Sequence, residues 1–572
     1  MSIKFKQIAL VSLISATALT SYASTHPYSI PKKHDSGNKI QVHKGTQSVK
    51  ASHPKWQASI PSLPVAPRAK YFTPFKAKKV LITFDQQIED ISVIGKSYEG
   101  QMITEEKLVQ INEEIANYYL SHDYLLPQIN IDRKTMLSGI LILDVKAASI
   151  NNVVIKGDAE NNNLLAEYAS KIKNQQPAMK HYTQKYLGLM NKVPGIEIAY
   201  ELIPNTELSG KGKTIVDLVV FTSSKKASLF TGVDNFGPNS LGKYQFSLLG
   251  QAYRPFSDRD GLMINGATTN QPERLSDIGA EYNYILNSYG TTASLAASHA
   301  QDNATLKQAQ TTPDGKLNSI RGSINQQLIL KPNHDLQFEL GSQYRTSVSY
   351  QVNTNITPNA SQKYKINKYS TADMGLRYLI KDQLNGRNVI HTNYTRGLSG
   401  YFKNYIDVPA NLPKKHFGKM SVNLYRDQDL TKGFSAFIHL VTSHSNDILP
   451  SSELASFGGR DFGRGYDFAS LEGNKMNAAA MELRYTKEMD AYYMSELQPY
   501  LYADTGHVNK FFANTNVSNL SSLGGGLRVR FVKSIDLGME FAHPTKKNFM
   551  VNNSNITAKN RFNFFINKAF EF

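Results

Sequence analysis

Chemistry needs side chains that hold a charge, attack a bond or ligate a metal. One stretch of this sequence stands out for the first of these: Phe457-Gly458-Gly459-Arg460-Asp461-Phe462-Gly463-Arg464-Gly465-Tyr466-Asp467. An arginine is permanently charged and presents a planar fork of donors that matches a carboxylate. At an Arg464-Gly465-Tyr466 bend its chemistry is ion pairing and positioning rather than bond making. A carboxylate that needs a counter-charge or hydrogen-bond donors lies in Tyr502-Ala503-Asp504-Thr505-Gly506, for a charge on an enclosed face is costly unless paired. Reactive groups of other kinds are sparse. The chain has no cysteine, so it carries neither a thiolate metal site nor a disulfide framework. It has no Gly-x-Ser-x-Gly elbow, no His-Glu-x-x-His and no nucleotide-binding Gly-x-x-x-x-Gly-Lys-Ser/Thr loop. His391, His439, His444 and His507 are scattered, which suits packing better than catalysis. The residues point away from an enzyme, a metal site or a bound cofactor.

The elements that must hold Arg464 and Asp504 are read from periodicity. Around the glycine-rich stretch, residues 446–476 show neither strand nor helix pattern and read as one long ordered loop, a length that is usually functional. On either side, from Lys225 onward, alternating segments recur, with sixteen candidates starting near Ala227, Lys243, Gly261, Asp277, Thr291, Ser319, Leu336, Lys368, Arg387, Phe417, Ser435, Asn477, Glu496, Ser522, Asp536 and Lys559. Met481, Leu483 and Tyr485 alternate with Glu482, Arg484 and Thr486, and Leu527, Val529 and Phe531 with Arg528 and Arg530. Gln498, Tyr500, Tyr502 and Asp504 share one face, and Leu497, Leu501 and Ala503 the other. Apolar residues outside and charged residues inside are the pattern of a membrane β-barrel with a wet lumen, not of a soluble sandwich. The last residues alternate too (Phe562, Phe564, Ile566, Phe570, Phe572), as expected of a strand that closes a barrel.

The region before the barrel divides in three. Residues 1–23 carry Lys4 and Lys6, an apolar run too short to span a bilayer and the small residues Ser21 and Ala23, the marks of a secretory signal peptide. Residues 24–77 are rich in Pro and Lys and read as a tether or a possible plug, with room for a short helix at 47–58. Two small α/β units follow at 78–148 and 149–224. In the first, 80–94 reads as strand, 103–119 as helix, and 128–132 and 139–146 as strands; in the second, strand 150–155 and helices 163–173 and 181–190 precede strands 196–204 and 214–222. The net charge of +17 on an exported chain fits acidic lipid, lipopolysaccharide or an acidic client better than nucleic acid, or simply decorates loops.

Two tandem α/β units before a sixteen-stranded barrel, with a glycine-rich loop between strands eleven and twelve, resemble the two-partner secretion transporters of the haemolysin and filamentous-haemagglutinin type. Three local matches carry the resemblance: Arg464-Gly465-Tyr466 at the loop tip, Tyr502 to Gly506 on strand thirteen, and Thr231-Gly232-Val233-Asp234-Asn235-Phe236-Gly237 at the barrel entry. The resemblance implies periplasmic POTRA domains ahead of an outer-membrane barrel in a Gram-negative bacterium. It also implies a loop folded into the lumen with Arg464 paired to Asp504, and a large unfolded β-helical exoprotein as client, secreted without ATP. Haemolysins, adhesins and contact-dependent inhibition toxins are the client classes. Lipopolysaccharide, outer-membrane lipid and the barrel-assembly machinery are the further partners implied. A barrel-assembly insertase is the alternative, built from the same parts.

Overall fold

The computed structural model describes residues 73–572 apart from 85–90, 126, 205–214, 238–240, 304–310, 354–360, 405–411, 490–492, 510–517, 532–533 and 552–553. The signal peptide, nearly all of the tether and the possible helix at 47–58 lie outside the described residues. The chain forms two compact units, the smaller ending at Ser224 and the larger built on Lys225–Ile329 and Asn333–Phe572.

The smaller unit holds two three-stranded sheets. In the first, the central strand Ile140–Ala147 lies parallel to Lys79–Phe84 and antiparallel to Pro127–Asp132. Helix Glu105–Ser121 starts at Thr104, whose hydroxyl accepts the Lys107 N–H, with Glu105 and Glu106 in the first turn where the helix dipole favours acids. It buries Ile111, Ile115 and Tyr119 in one core with Leu141, Leu143 and Val145. Each buried aliphatic side chain there stabilises the unit by about 1.5–3 kcal/mol. One expectation fails: the strand at 80–94 ends at Phe84, and Ser92–Lys96 is a helix. Ile91, Val93 and Ile94 are β-branched and apolar, but Gly95 brings this short helix so close to the first strand that an added Cβ would lie 2.9 Å from the Val80 carbonyl oxygen. In the second sheet Ile215–Ser224 is central, between Ser149–Gly157 and Ile196–Pro204, and helices Asn163–Asn174 and Lys180–Met190 pack together. The two sheets' subunits are stitched at Asp123, whose carbonyl accepts the Lys180 N–H and whose carboxylate accepts the His181 N–H and faces its ring.

The larger unit is a closed antiparallel barrel of sixteen strands. They are strand 1 (Ala227–Asp234), 2 (Gln245–Tyr253), 3 (Asp260–Thr269), 4 (Leu275–Ile285), 5 (Thr291–Asn303), 6 (Thr311–Lys331), 7 (His334–Asn353), 8 (Ser361–Lys381), 9 (Gly386–Asn404), 10 (Gly418–Asp429), 11 (Phe434–His444), 12 (Lys475–Tyr485, continued at Lys487–Glu488), 13 (Met494–Asn509), 14 (Asn519–Phe531), 15 (Ile535–Pro544) and 16 (Arg561–Glu571). Strand 16 pairs with strand 1, so no edge is left, the condition for a sheet surrounded by hydrocarbon. The alternation reads as expected: Leu501 is 67% exposed and Met481 51%, whereas Glu482 is fully buried and Gln498, Tyr500, Tyr502 and Asp504 are buried in a row. Connections alternate in length. Residues 254–259, 332–333, 382–385 and 430–433 make short turns at one end, and 445–474 and 545–560 make long loops at the other. Short turns mark the periplasmic end of such barrels, and the chain enters strand 1 at that end.

Candidate functional site in the barrel lumen

The site is the loop between strands 11 and 12 and the wall on which it rests. Its neck closes where the Ser445 N–H donates to the Asn474 carbonyl. Beyond the neck the loop is more regular than its sequence suggests. A 3-10 turn at Ser451–Glu453 leads into a two-stranded ribbon in which Ala455–Phe457 pairs with Leu471–Gly473. Three-residue strands are too short to show a period of two, so the sequence reading missed them.

At the tip, Arg464 is 3% exposed. Its guanidinium pairs with Glu482 Oε1 of strand 12 at 2.7 Å and with Glu540 Oε2 of strand 15 at 2.9 Å, and lies 4.3 Å over the Tyr502 ring. This corrects the expected bidentate pairing with Asp504. Asp504 instead accepts the backbone N–H of Arg464 (3.2 Å), the Ser522 hydroxyl (2.6 Å) and the Ser522 N–H. The carboxylate thus fixes the bend and the two glutamates take the charge. Glu482 is also shared by Arg484 of strand 12 (Nε at 2.6 Å) and Arg528 of strand 14 (3.0 Å). Those guanidiniums lie over Phe437 and Tyr500. Glu540 further accepts the Tyr500 hydroxyl and an Asn563 amide proton. Three arginines therefore face three carboxylates in a place from which water is excluded, where charge-assisted hydrogen bonds are strongest.

The neighbours of Arg464 are fixed by shape. Gly465 donates its N–H to Ser522 Oγ and leaves no room for a side chain: a Cβ there would lie 2.8 Å from the Pro544 nitrogen. The Tyr466 hydroxyl donates to the Ser521 carbonyl and accepts the Lys546 N–H, while its ring meets Phe549 edge-on. Gly506 on strand 13 makes the floor for Phe457, since a Cβ at 506 would fall 2.1 Å from that ring. Arg460 lies 3.6 Å from Asp234, in the barrel-entry segment of strand 1, and between the Phe236 and Phe565 rings. His439 is enclosed by Tyr425 and Phe462, a packing role.

A second cluster, at the base of the loop, was not foreseen. Glu453 is buried against Arg345 of strand 7 (2.7 Å), Lys419 of strand 10 and the Tyr369 hydroxyl of strand 8, which also bonds Ser452 at 2.6 Å. The polarity is reversed: at the tip the loop brings the cation, at the base the anion. Sequence signals for both clusters exist. Glu540 alternates with Met539 and Phe541, and Lys419 with Met420, which marks their faces as inward; what periodicity does not give is height along the barrel axis. Among the described residues no cluster of His, Asp and Glu is arranged to hold a metal ion, and no helix is long and apolar enough to cross a membrane.

Residues 212–529 match the family model of the haemolysin secretion/activation proteins ShlB, FhaC and HecB. The chain belongs to that family. It is 20% identical over 495 residues to the heme/hemopexin transporter protein HuxB of Haemophilus influenzae, covering 84% of this chain and 85% of HuxB. In fold it is similar to CdiB from Escherichia coli (TM-score 0.65, 15% identity, 91% of this chain and 94% of that one) and CdiB from Acinetobacter baumannii (TM-score 0.59, 15% identity, 88% and 91%). The barrel is accordingly an outer-membrane barrel, its α/β units are periplasmic POTRA domains, and the family's work is secretion of exoproteins across the outer membrane, a transport and not an enzymatic activity.

Proposed function

We propose that this protein moves one large unfolded exoprotein from the periplasm to the cell surface through its barrel, and that the loop tip at Arg464 is the part that must be displaced on the way. The observation that carries the reading is a loop buried in the lumen yet held there through ion pairs to Glu482 and Glu540, contacts that can be exchanged without unfolding the wall. The chain has no nucleotide-binding loop, so folding of the client outside supplies the drive. The POTRA edge strands Lys79–Phe84 and Ser149–Gly157 offer main-chain groups to which an extended client adds as a further strand. HuxB is a heme/hemopexin transporter protein by name, which makes a haem- or hemopexin-linked exoprotein the first client to try, ahead of adhesins and inhibition toxins.

Surface release of such a client, co-expressed with Arg464→Glu, Glu540→Arg and the double swap, tests this. Each single swap lowers release by at least roughly tenfold, the effect of placing like charges in a buried site, and the double swap restores part of it. Wild-type release by all three, with the barrel in the outer membrane, would refute the role given to the tip, and no release by the wild type itself would refute the transport reading.

A further inference from the structure

The outward face of the barrel carries large apolar side chains, with Ile278, Leu295, Ile320, Leu501 and Leu523 all exposed. On strands 10 to 14 it changes near the end that bears the long loops. One outward row pairs Leu424 with Leu440 and Leu440 with Ala479. The next row toward the loops pairs Thr442 with Asn477, Asn477 with His507, and His507 with Asn519. Ala479 is small where its neighbours are large. The two rows line a groove of about 580 Å³, a size typical of sites for small ligands. Its apolar side is Leu424, Leu440 and Ala479, and its polar side is Thr442, Asn477, His507 and Asn519.

The polar side is oriented. The Thr442 hydroxyl donates to Asn477 Oδ1 at 2.7 Å, and His507 Nδ1 meets Asn519 Oδ1 at 2.5 Å. With both amide oxygens engaged, the two asparagines turn NH2 donors to a ligand, and His507 keeps Nε2 for it. One row further toward the loops His444 pairs with Lys475, and both side chains meet Asn446 Oδ1, at 3.2 and 2.8 Å. Among the described residues no acidic side chain lines the groove. Amide donors below a lysine, with no carboxylate among them, suit a phosphate. Polar and charged groups on the lipid side are costly at the bilayer midplane and tolerated near its surface, so these rows stand at the head-group level of the outer leaflet.

We propose that this groove binds lipid A, the phosphorylated and acylated disaccharide that anchors lipopolysaccharide in the outer leaflet. An acyl chain lies along Leu424, Leu440 and Ala479. The sugar and its phosphate are held by the NH2 groups of Asn477 and Asn519 and by Nε2 of His507, with Lys475 as the counter-charge. A phospholipid shares the acyl chain and the phosphate but populates the inner leaflet, at the other end of the strands, so the height of the groove selects lipid A. The site is on the outside of the wall and does not depend on how a client moves through the lumen.

The test uses the purified full-length protein in detergent, stripped of lipid, with lipid A, phosphate-free lipid A and phosphatidylglycerol as probes, and native mass spectrometry to count the lipid retained. Lipid A binds at least roughly tenfold more tightly than either of the others. Ala479→Trp, which fills the groove, and Asn477→Asp, which sets a carboxylate against the phosphate, each weaken it by roughly tenfold, while Ile278→Trp on the outward face of strand 4 leaves it unchanged. Equal binding by Ala479→Trp and Ile278→Trp overturns the site. Phosphatidylglycerol or phosphate-free lipid A held as tightly as lipid A overturns the choice of ligand. The lipid series uses the wild-type chain, so it stands even where a variant fails to fold. The milder Asn477→Cys then locates the site, as the one cysteine in the chain. Lipid A slows its reaction with a water-soluble maleimide at least roughly tenfold and leaves that of Asn318→Cys, exposed on strand 6, unchanged. Equal slowing at the two positions, or none at Asn477→Cys, overturns the proposal.

Discussion

Arg464 delivers its positive charge to Glu482 and Glu540 and its backbone to Asp504, and this division of labour sets what each residue is worth. Glu482 is fully buried and shared by Arg464, Arg484 and Arg528. Converting it to glutamine leaves three guanidiniums close together with one carboxylate fewer, and breaking a buried ion cluster in this way costs about 3–5 kcal/mol. Asp504→Asn is milder. One oxygen accepts the Arg464 N–H and the other the Ser522 N–H and hydroxyl, so the amide sets its NH2 against one of these buried donors, and the loss is about 1–3 kcal/mol, the cost of one donor left unpaired. Denaturant midpoints of the purified barrel should therefore fall in the order wild type, Asp504→Asn, Glu482→Gln. The reverse order would mean that Asp504 and not Glu482 carries the guanidinium.

At the scale of elements, what was legible follows from what repeats. All sixteen barrel strands were readable because each alternates over eight or more residues, long enough for outward Met481, Leu483 and Tyr485 to separate from inward Glu482 and Arg484. Helix Glu105–Ser121 was legible from its cap and its apolar stripe. The helix Ser92–Lys96 was not, because five residues make little more than one turn and its β-branched residues imitate a strand. The partners of Arg464 and the Glu453 cluster were hidden for a different reason. Alternation reports the face of a residue, while the stagger between strands decides which inward residues reach the same height, and no local pattern encodes it. Short turns, in contrast, are local and testable one at a time. Asp382 closes the 382–385 turn: the Arg426 guanidinium, helped by the N–H of Gly386, holds its carboxyl down at about 2. A folded pKa below the unfolded one means that the contribution is whole at neutral pH and disappears as pH falls from the ordinary aspartate range through about 2. Wild type should thus unfold at higher denaturant than Asp382→Asn at pH 7, and the gap should close below about pH 2. A gap independent of pH would show that the turn relies on geometry and not on the charge.

For the whole molecule the question is whether the loop must move. The barrel wall is a closed ladder of main-chain hydrogen bonds, costly to open within hydrocarbon, whereas the loop is anchored through side chains at its two ends, Glu453 and Arg464. On the proposed reading a polypeptide passing through the lumen is accommodated by shifting the loop and not by parting strands, and the Arg464 tip is the end expected to shift. The absence of cysteine makes this directly testable, because any introduced pair reacts without competition. Asp467 of the loop pairs with Arg561 at the start of strand 16, and the aspartate is half exposed, within reach of a reagent. With both replaced by cysteine and bridged by a short, reducible bifunctional thiol reagent, the barrel should stay in the outer membrane and run as a folded species on a gel. Client release should stop, and return when the bridge is reduced. Release that continues at the wild-type rate with bridging complete would mean that the client passes a stationary loop, and the lumen would then have to hold an open path with the tip still in place.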